Sequence, residues 1–155
     1  MIWLLFAGAL AGIDLGIKYY IRKNKTESDH TPILKNKVII TRFCNKGAML
    51  GFMKNNVKML TGISLICFGA IFGMLLAFSG QKGNILIKTG LTLLLGGSGS
   101  NVYERVTGDG VTDYFKLNIG CEKFRKIVFN IGDFFIFIGT LLTAIGLMTR
   151  HPDVH

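Results

Sequence analysis

Apolar and charged residues are bunched along this chain rather than interleaved. Met59 to Phe78 run for twenty positions without a charge. A helix rises about 1.5 Å per residue, so twenty residues match a hydrocarbon core of about 30 Å. Three more segments share this character: 2–20, interrupted by Asp14 and Lys18; 84–103, with Lys88 near one end; and 127–148. The pattern predicts an all-α membrane protein of four transmembrane helices, forming one membrane domain over 1–155. An even number of spans puts both termini on one side. The connections 21–58 and 104–126 then share the other side, and a tight turn, Ser79 to Gly83, joins spans two and three.

Inside the first connection the period changes. "NKVIITRF", Asn36 to Phe43, is rich in β-branched residues between turn formers and predicts a strand or hairpin. The expected fold is therefore a four-helix bundle with a small β-containing loop region at one end. Composition agrees: 155 residues suit one domain, half of them are hydrophobic, and only 17% are charged. The opening "MIWLLFAGALAG" lacks a basic leader and its apolar run is short, so cleavage as a signal peptide is not expected.

Glycines mark close approaches. Gly8, Gly12 and Gly16 repeat every four residues in span one, and Gly132, Gly139 and Gly146 every seven in span four. Both stripes predict helix packing. Five glycines from Gly96 to Gly110 suggest that span three frays and turns back toward the membrane. Irregular backbone at that depth is tolerated only where protein or a wet cavity covers it, so a site is expected there.

Candidate chemistry rests on acids. Histidine occurs only at 30, 151 and 155, outside the spans, which excludes intramembrane nucleophile activation by imidazole. Cys44 and Cys121 lie in same-side connections but match no disulfide or metal spacing. Asp133 opens the last span between Gly132 and Phe134, where an ionised acid is expensive enough to imply function. Asp113, in "GVTDYF", falls at the same membrane face. Two close carboxylates share one proton, and such a pair can activate water while polarising a carbonyl. From spacing alone, a structural or merely solvated role for each acid stays open.

Neighbouring blocks sharpen this. "NKGAMLG" (Asn45 to Gly51), "GGSGSNVYERVTGDGVTDYF" (Gly96 to Phe115) and "FNIGD" (Phe129 to Asp133) resemble signature blocks of the lipoprotein signal peptidases, or type II signal peptidases. There they read roughly N-x-G-A-x-x-G, G-G-x-x-G-N-x-x-D-R-x-x-x-G-x-V-x-D-F and F-N-x-A-D. "DLGIK" in span one is similar to the family's D-x-x-T-K. The resemblance implies a bacterial membrane aspartyl endopeptidase that removes signal peptides from prolipoproteins, cutting before a diacylglyceryl-modified cysteine. It implies Asp113 and Asp133 as the catalytic pair. Asn45, Gly47, Asn101, Glu104, Arg105 and Asn130 would bind substrate or orient the acids, with Asp14 in support. Helix capping is an equal reading of Asn130, and a counter-ion to Glu104 is another reading of Arg105. No cofactor, metal or nucleic acid is implied; the partners are the lipid-modified precursor, membrane phospholipid and peptide antibiotics directed at the family.

The chain departs from those blocks at four places. Glu104 replaces Asp, Ser100 replaces Gly, Gly132 replaces Ala and Ile17 replaces Thr. Glu104 is the change expected to disturb geometry most. Charge adds a conflict: of 18 Lys and Arg, nine lie in Arg22 to Lys58 and five in Arg105 to Lys126. The positive-inside rule would turn that face to the cytoplasm, whereas the resemblance turns it outward from the plasma membrane, and the four ordered blocks take precedence. Two rival classes fit the residues: an inert relative binding precursors or an inhibitor, which Glu104 would suit, and a small carrier using Asp14 and Asp133 as a proton relay.

Overall fold

The computed structural model describes residues 1–48, 53–108 and 110–149. The elements run α1 (Ile2–Asn24), β1 (Thr31–Ile33), β2 (Val38–Asn45), α2 (Val57–Ser79), α3 (Ile85–Thr107), β3 (Val111–Leu117), α4 (Glu122–Arg125), β4 (Val128–Phe129) and α5 (Ile131–Met148). Three helices, α1, α2 and α5, are long and apolar enough to cross a membrane. Outside lipid they would be untenable. α2 buries only Leu60 and Leu75, while Ile63, Leu65, Ile66, Phe72, Met74 and Leu76 are exposed around it. That is the pattern of a helix whose surroundings are hydrocarbon.

α3 matches α1 and α2 in length at 23 residues but is more polar, and its place in the bundle explains why. It packs against α1, α2 and α5 at once. Eleven of its residues are buried, among them Lys88, Thr92, Ser100 and Glu104. A helix enclosed by three others needs small and pairing side chains more than greasy ones. Its glycines admit the neighbours. A Cβ at Gly97 would strike the Gly132 carbonyl of α5, and one at Gly96 would lie 2.8 Å from Leu10 Cβ of α1. Beneath this, Ala7, Leu75, Ile87, Leu91 and Leu95 form the apolar core.

Several expectations change. The α5 stripe packs as predicted: Gly132, Gly139 and Gly146 are all buried, and a Cβ at Gly139 would sit 2.6 Å from the Gly90 carbonyl. The α1 stripe does not, since nothing lies within 4 Å of a Cβ on Gly8, Gly12 or Gly16. α1 instead turns Ala7, Asp14, Lys18 and Ile21 inward, so its polar pair, not its glycines, faces the bundle. Nor does α3 fray: it stays helical to Thr107, and its glycines serve packing rather than a re-entrant loop. The last helix starts at Ile131, not 127, because Val128 and Phe129 are first used as a strand.

The strand or hairpin expected over 36–43 is one strand, β2, which forms a hairpin with β1. The four strands lie in the order β1-β2-β3-β4, each pair antiparallel. Between Ile40 and Phe43 the register of β2 on β3 shifts, leaving Thr41 and Arg42 opposite Tyr114 alone. Beyond the bulge Phe43 pairs with Asp113 and Cys44 with Thr112. Side chains alternate across a strand, so Asp113 and Thr112 leave β3 on opposite faces. Asn45, two residues after Phe43, shares the face of Asp113.

Candidate active site

Asp113 comes from β3, and Asp133 from the first turn of α5. Asn130 joins them. As the N-cap of α5 it forms a capping box: its Oδ1 accepts from Asp133 N at 2.9 Å, and its own N–H donates to Asp133 Oδ2 at 3.0 Å. With its carbonyl occupied, its amide can only donate outward, and Nδ2 reaches Asp113 Oδ1 at 2.7 Å. Helix capping and contact with both acids belong to one residue.

Two other asparagines repeat the device. Asn45 Oδ1 accepts from Gly47 N at 3.1 Å, which leaves Nδ2 to donate to Asp113 Oδ2 at 2.9 Å. Asn101 Oδ1 accepts from the Lys18 ammonium at 2.6 Å, and its Nδ2 donates to Asp133 Oδ1 at 3.1 Å. Each amide is thus set by a donor that has no alternative role as an acceptor. All four carboxylate oxygens of the pair receive a hydrogen bond. Asp113 is buried, and burial pushes its carboxyl up to about 7, with the Asp133 charge adding and the Asn45 and Asn130 donors opposing.

Behind the pair lies a buried charge network. Lys18, wholly inaccessible, pairs with Asp14 at 2.8 Å and Glu104 at 3.3 Å. Asp14 also accepts from Ser100 Oγ at 2.5 Å and Tyr114 Oη at 3.0 Å. The Tyr114 hydroxyl in turn accepts from Ile131 N at 3.1 Å, tying α1 to the start of α5. Burial, then the Asp14 charge, raises this phenol above its ordinary range. Among the described residues Asp14 hydrogen-bonds neither acid; its partners are Lys18, Ser100 and Tyr114.

Glu104, besides its pair with Lys18, reaches the sheet. It holds β3 by accepting from Thr112 N at 2.8 Å and Thr112 Oγ1 at 2.8 Å, and it pairs with Arg22. Its side chain is taken up on the face of β3 away from Asp113, which removes the main support for an inert relative. Arg105 is not its counter-ion. Arg105 Nη2 donates to the Gly47 carbonyl at 3.0 Å, while Nη1 is buried without a partner among the described residues. Gly47 is buried between this contact and Asn45; Gly51 lies outside the described residues.

Sequence reasoning missed Lys18, Arg22, Thr112 and Tyr114. Lys18 had a signal: an acid and a base four apart inside an apolar span occupy one helix face and imply a buried pair. The others act across separations of 8 to 100 residues and leave no local trace.

Gly132, where the family blocks carry Ala, is tight. A Cβ there would lie 2.9 Å from Asp14 Oδ2 and 3.0 Å from both Asn130 Oδ1 and the Gly97 carbonyl. Gly132→Ala should therefore lower the midpoint of thermal unfolding in detergent by overpacking worth about 1–3 kcal/mol. Gly62→Ala, where nothing lies within 4 Å, should not lower it. Equal midpoints for the two would contradict the packing.

A buried and a half-buried carboxylate, both held by the amide groups of one asparagine at the end of an apolar helix bundle, are an arrangement compatible with an aspartic protease of the membrane. The family model described as "Signal peptidase (SPase) II" matches residues 6–149. The lipoprotein signal peptidase of Clostridioides difficile strain 630 is 30% identical over 145 residues, covering 94% of this chain and 93% of that protein. That of Clostridium acetobutylicum is 28% identical over 119 residues, covering 77% and 75%. A solved bacterial membrane enzyme, determined in meso at 2.3 Å, superposes with a TM-score of 0.78 at 24% identity, over 99% of this chain and 94% of the other. A second, at 1.9 Å, gives 0.75 at 24% identity over 96% and 94%. At that identity both speak for the fold. The chain belongs to the signal peptidase II family, aspartic-type bacterial membrane proteases that process prolipoproteins.

Proposed function

We propose that Asp113 and Asp133 are the catalytic pair and that they remove signal peptides from diacylglyceryl-modified prolipoproteins, cutting before the lipidated cysteine. The observation that carries this reading is the set of three asparagines, each with its carbonyl occupied and its amide aimed at an acid. Between them the two carboxylates hold one proton. The ionised member takes a proton from water, whose oxygen attacks the scissile carbonyl carbon. The protonated member donates to the carbonyl oxygen as it gains charge. Collapse of the tetrahedral adduct breaks the C–N bond, and the proton taken from water passes to the departing cysteine nitrogen. Arg105 Nη1, buried and unpartnered among the described residues, is a donor for a substrate carbonyl. An unpaired carbonyl would otherwise be costly so far from water.

In this reading α3 is a fourth span, sheltered by α1, α2 and α5, and both acyl chains arrive sideways from the bilayer. The strands and the acids lie on the extracytoplasmic face, and the basic connections rest on anionic headgroups, each Lys or Arg contributing about 1 kcal/mol. Peptide antibiotics that compete for the same acids are further ligands. Single cysteines placed from Lys25 to Lys35 should react with an impermeant maleimide from outside intact cells. Protection there, with labelling only after lysis, would reverse the orientation.

The direct test uses purified full chain in neutral detergent. A diacylglyceryl-modified precursor should lose its signal peptide, while the same precursor with unmodified cysteine should persist. Cleavage of neither would end the proposal. The pH profile adds a sign. Asp113, raised to about 7, holds the shared proton below that value and releases it above. Turnover should therefore fall as pH rises through about 7, toward tenfold per unit, with apparent constants belonging to the pair. A rate still climbing from pH 7 to 9 would contradict the shared proton. Stability should follow the same direction, since a carboxyl raised on folding stabilises most below its unfolded value of 3.8 and loses that contribution through about 7.

A further inference from the structure

Beside β3, mostly on the face away from the acids, there is a cleft of about 460 Å³. Arg22, Arg42, Cys44, Tyr103, Glu104 and Thr112 line it. The cross-strand pair Cys44 and Thr112 forms part of its wall, while Asn45 and Asp113 project from the opposite face. No part of the proposed peptide chemistry uses this space.

We propose that the cleft is a subsite for the phosphate of an anionic phospholipid headgroup. Two guanidiniums meet there. Arg22 is already paired with Glu104. Arg42 pairs with no carboxylate among the described residues. One of its terminal nitrogens, Nη1, donates to the carbonyls of Arg22 at 3.1 Å and Lys25 at 3.2 Å, closing the C-terminal end of α1. That fixes the plane of the guanidinium and leaves its Nη2 and Nε edge for a ligand. A planar fork held in place, with surplus positive charge among the described residues, is suited to phosphate. The half-exposed ring of Tyr103 stands beside it, the usual position of tyrosine where hydrocarbon gives way to headgroups. The site lies at the C-terminal ends of α1 and α3, which the proposed topology places at a membrane surface. Lipid phosphates occupy that level at high local concentration, so phospholipid is the source assigned rather than free phosphate.

The inference rests on that topology and not on catalysis, so its test avoids turnover. The full chain, as wild type and as Asp113→Asn, is melted in neutral maltoside micelles. Short-chain phosphatidylglycerol, the matching neutral diacylglycerol and inorganic phosphate are titrated separately. Phosphatidylglycerol should raise the midpoint saturably and equally in both proteins, as expected for a ligand of the folded state, and the other two should not. Arg42→Gln should weaken the apparent affinity about tenfold or more, the scale of a lost charged hydrogen bond pair. Because that change also removes a helix-end contact, Thr107→Glu serves as the second variant. Thr107 lines the cleft and its hydroxyl donates to the Tyr103 carbonyl, and a carboxylate there should abolish the response while the protein still melts cooperatively. An equal shift with diacylglycerol, or wild-type affinity in Thr107→Glu, would overturn the site. An equal shift with inorganic phosphate would make it an ion site and overturn the assignment to lipid.

Discussion

Asp113→Asn and Asp133→Asn should each reduce turnover of a lipidated precursor by about 10³-fold or more, the upper part of the range for a lost acid or base. Two effects combine. An amide neither takes a proton from water nor shares one with a neighbouring carboxylate. It is also a poor fit to its surroundings. Both oxygens of Asp113 accept from amide nitrogens, Asn130 on one and Asn45 on the other. Both oxygens of Asp133 likewise accept, from Asn101 Nδ2 and Asn130 N. Whichever way the new amide turns, its nitrogen confronts a donor. Turnover and unfolding midpoint must therefore be measured together. If either variant cleaves within tenfold of wild type while remaining folded, that acid is not a catalytic residue.

The conflict of donors also explains why the site could be only partly read from sequence. Both acids stood out by their position at the ends of apolar spans, whereas the three asparagines and Arg105 were visible only through the resemblance to the family blocks. Their geometry was not. Whether an asparagine amide donates to a carboxylate depends on what holds its carbonyl, and for Asn101 that is Lys18, 83 positions away. Asn130 was ambiguous for a related reason: capping and orienting the pair are one hydrogen-bond circuit.

The glycine stripes teach the same lesson about packing. Spacing predicted a close neighbour for the glycine stripes of both α1 and α5, yet only the α5 stripe faces one. A stripe states that a helix can be approached, and tertiary placement decides whether it is. α3 shows the converse. Its glycines read as a break because they cluster near a loop, but each removes a side chain where another helix crosses. The apolar runs of α1, α2 and α5 were legible because lipid imposes one rule on every exposed position. An enclosed helix answers to three different neighbours, and no single period records them.

Replacing Lys18 by Met should have the second large effect, and it separates two roles of one ammonium. Lys18 is inaccessible and stands between Asp14 and Glu104, themselves buried. Removing one partner of a buried ion pair typically costs about 3–5 kcal/mol, because the remaining charge is left unpaired. The unfolding midpoint should drop steeply. Lys18 also holds Asn101 Oδ1, and through it the amide that faces Asp133. A second change, Asp14→Asn, deletes one orphaned charge, while Glu104 keeps Arg22 and Thr112. Lys18→Met/Asp14→Asn should thus recover part of the lost stability. It should not recover turnover, since Asn101 remains free to rotate its carbonyl toward Asp133 and repel it. We expect kcat to stay about 100-fold down, with KM little changed, the signature of an interaction needed by the reacting state. Full recovery of kcat in the double variant would reduce Lys18 to a neutralising charge. Continued loss in a folded protein would make it the residue that sets the hydrogen bonding of the pair from one helix away.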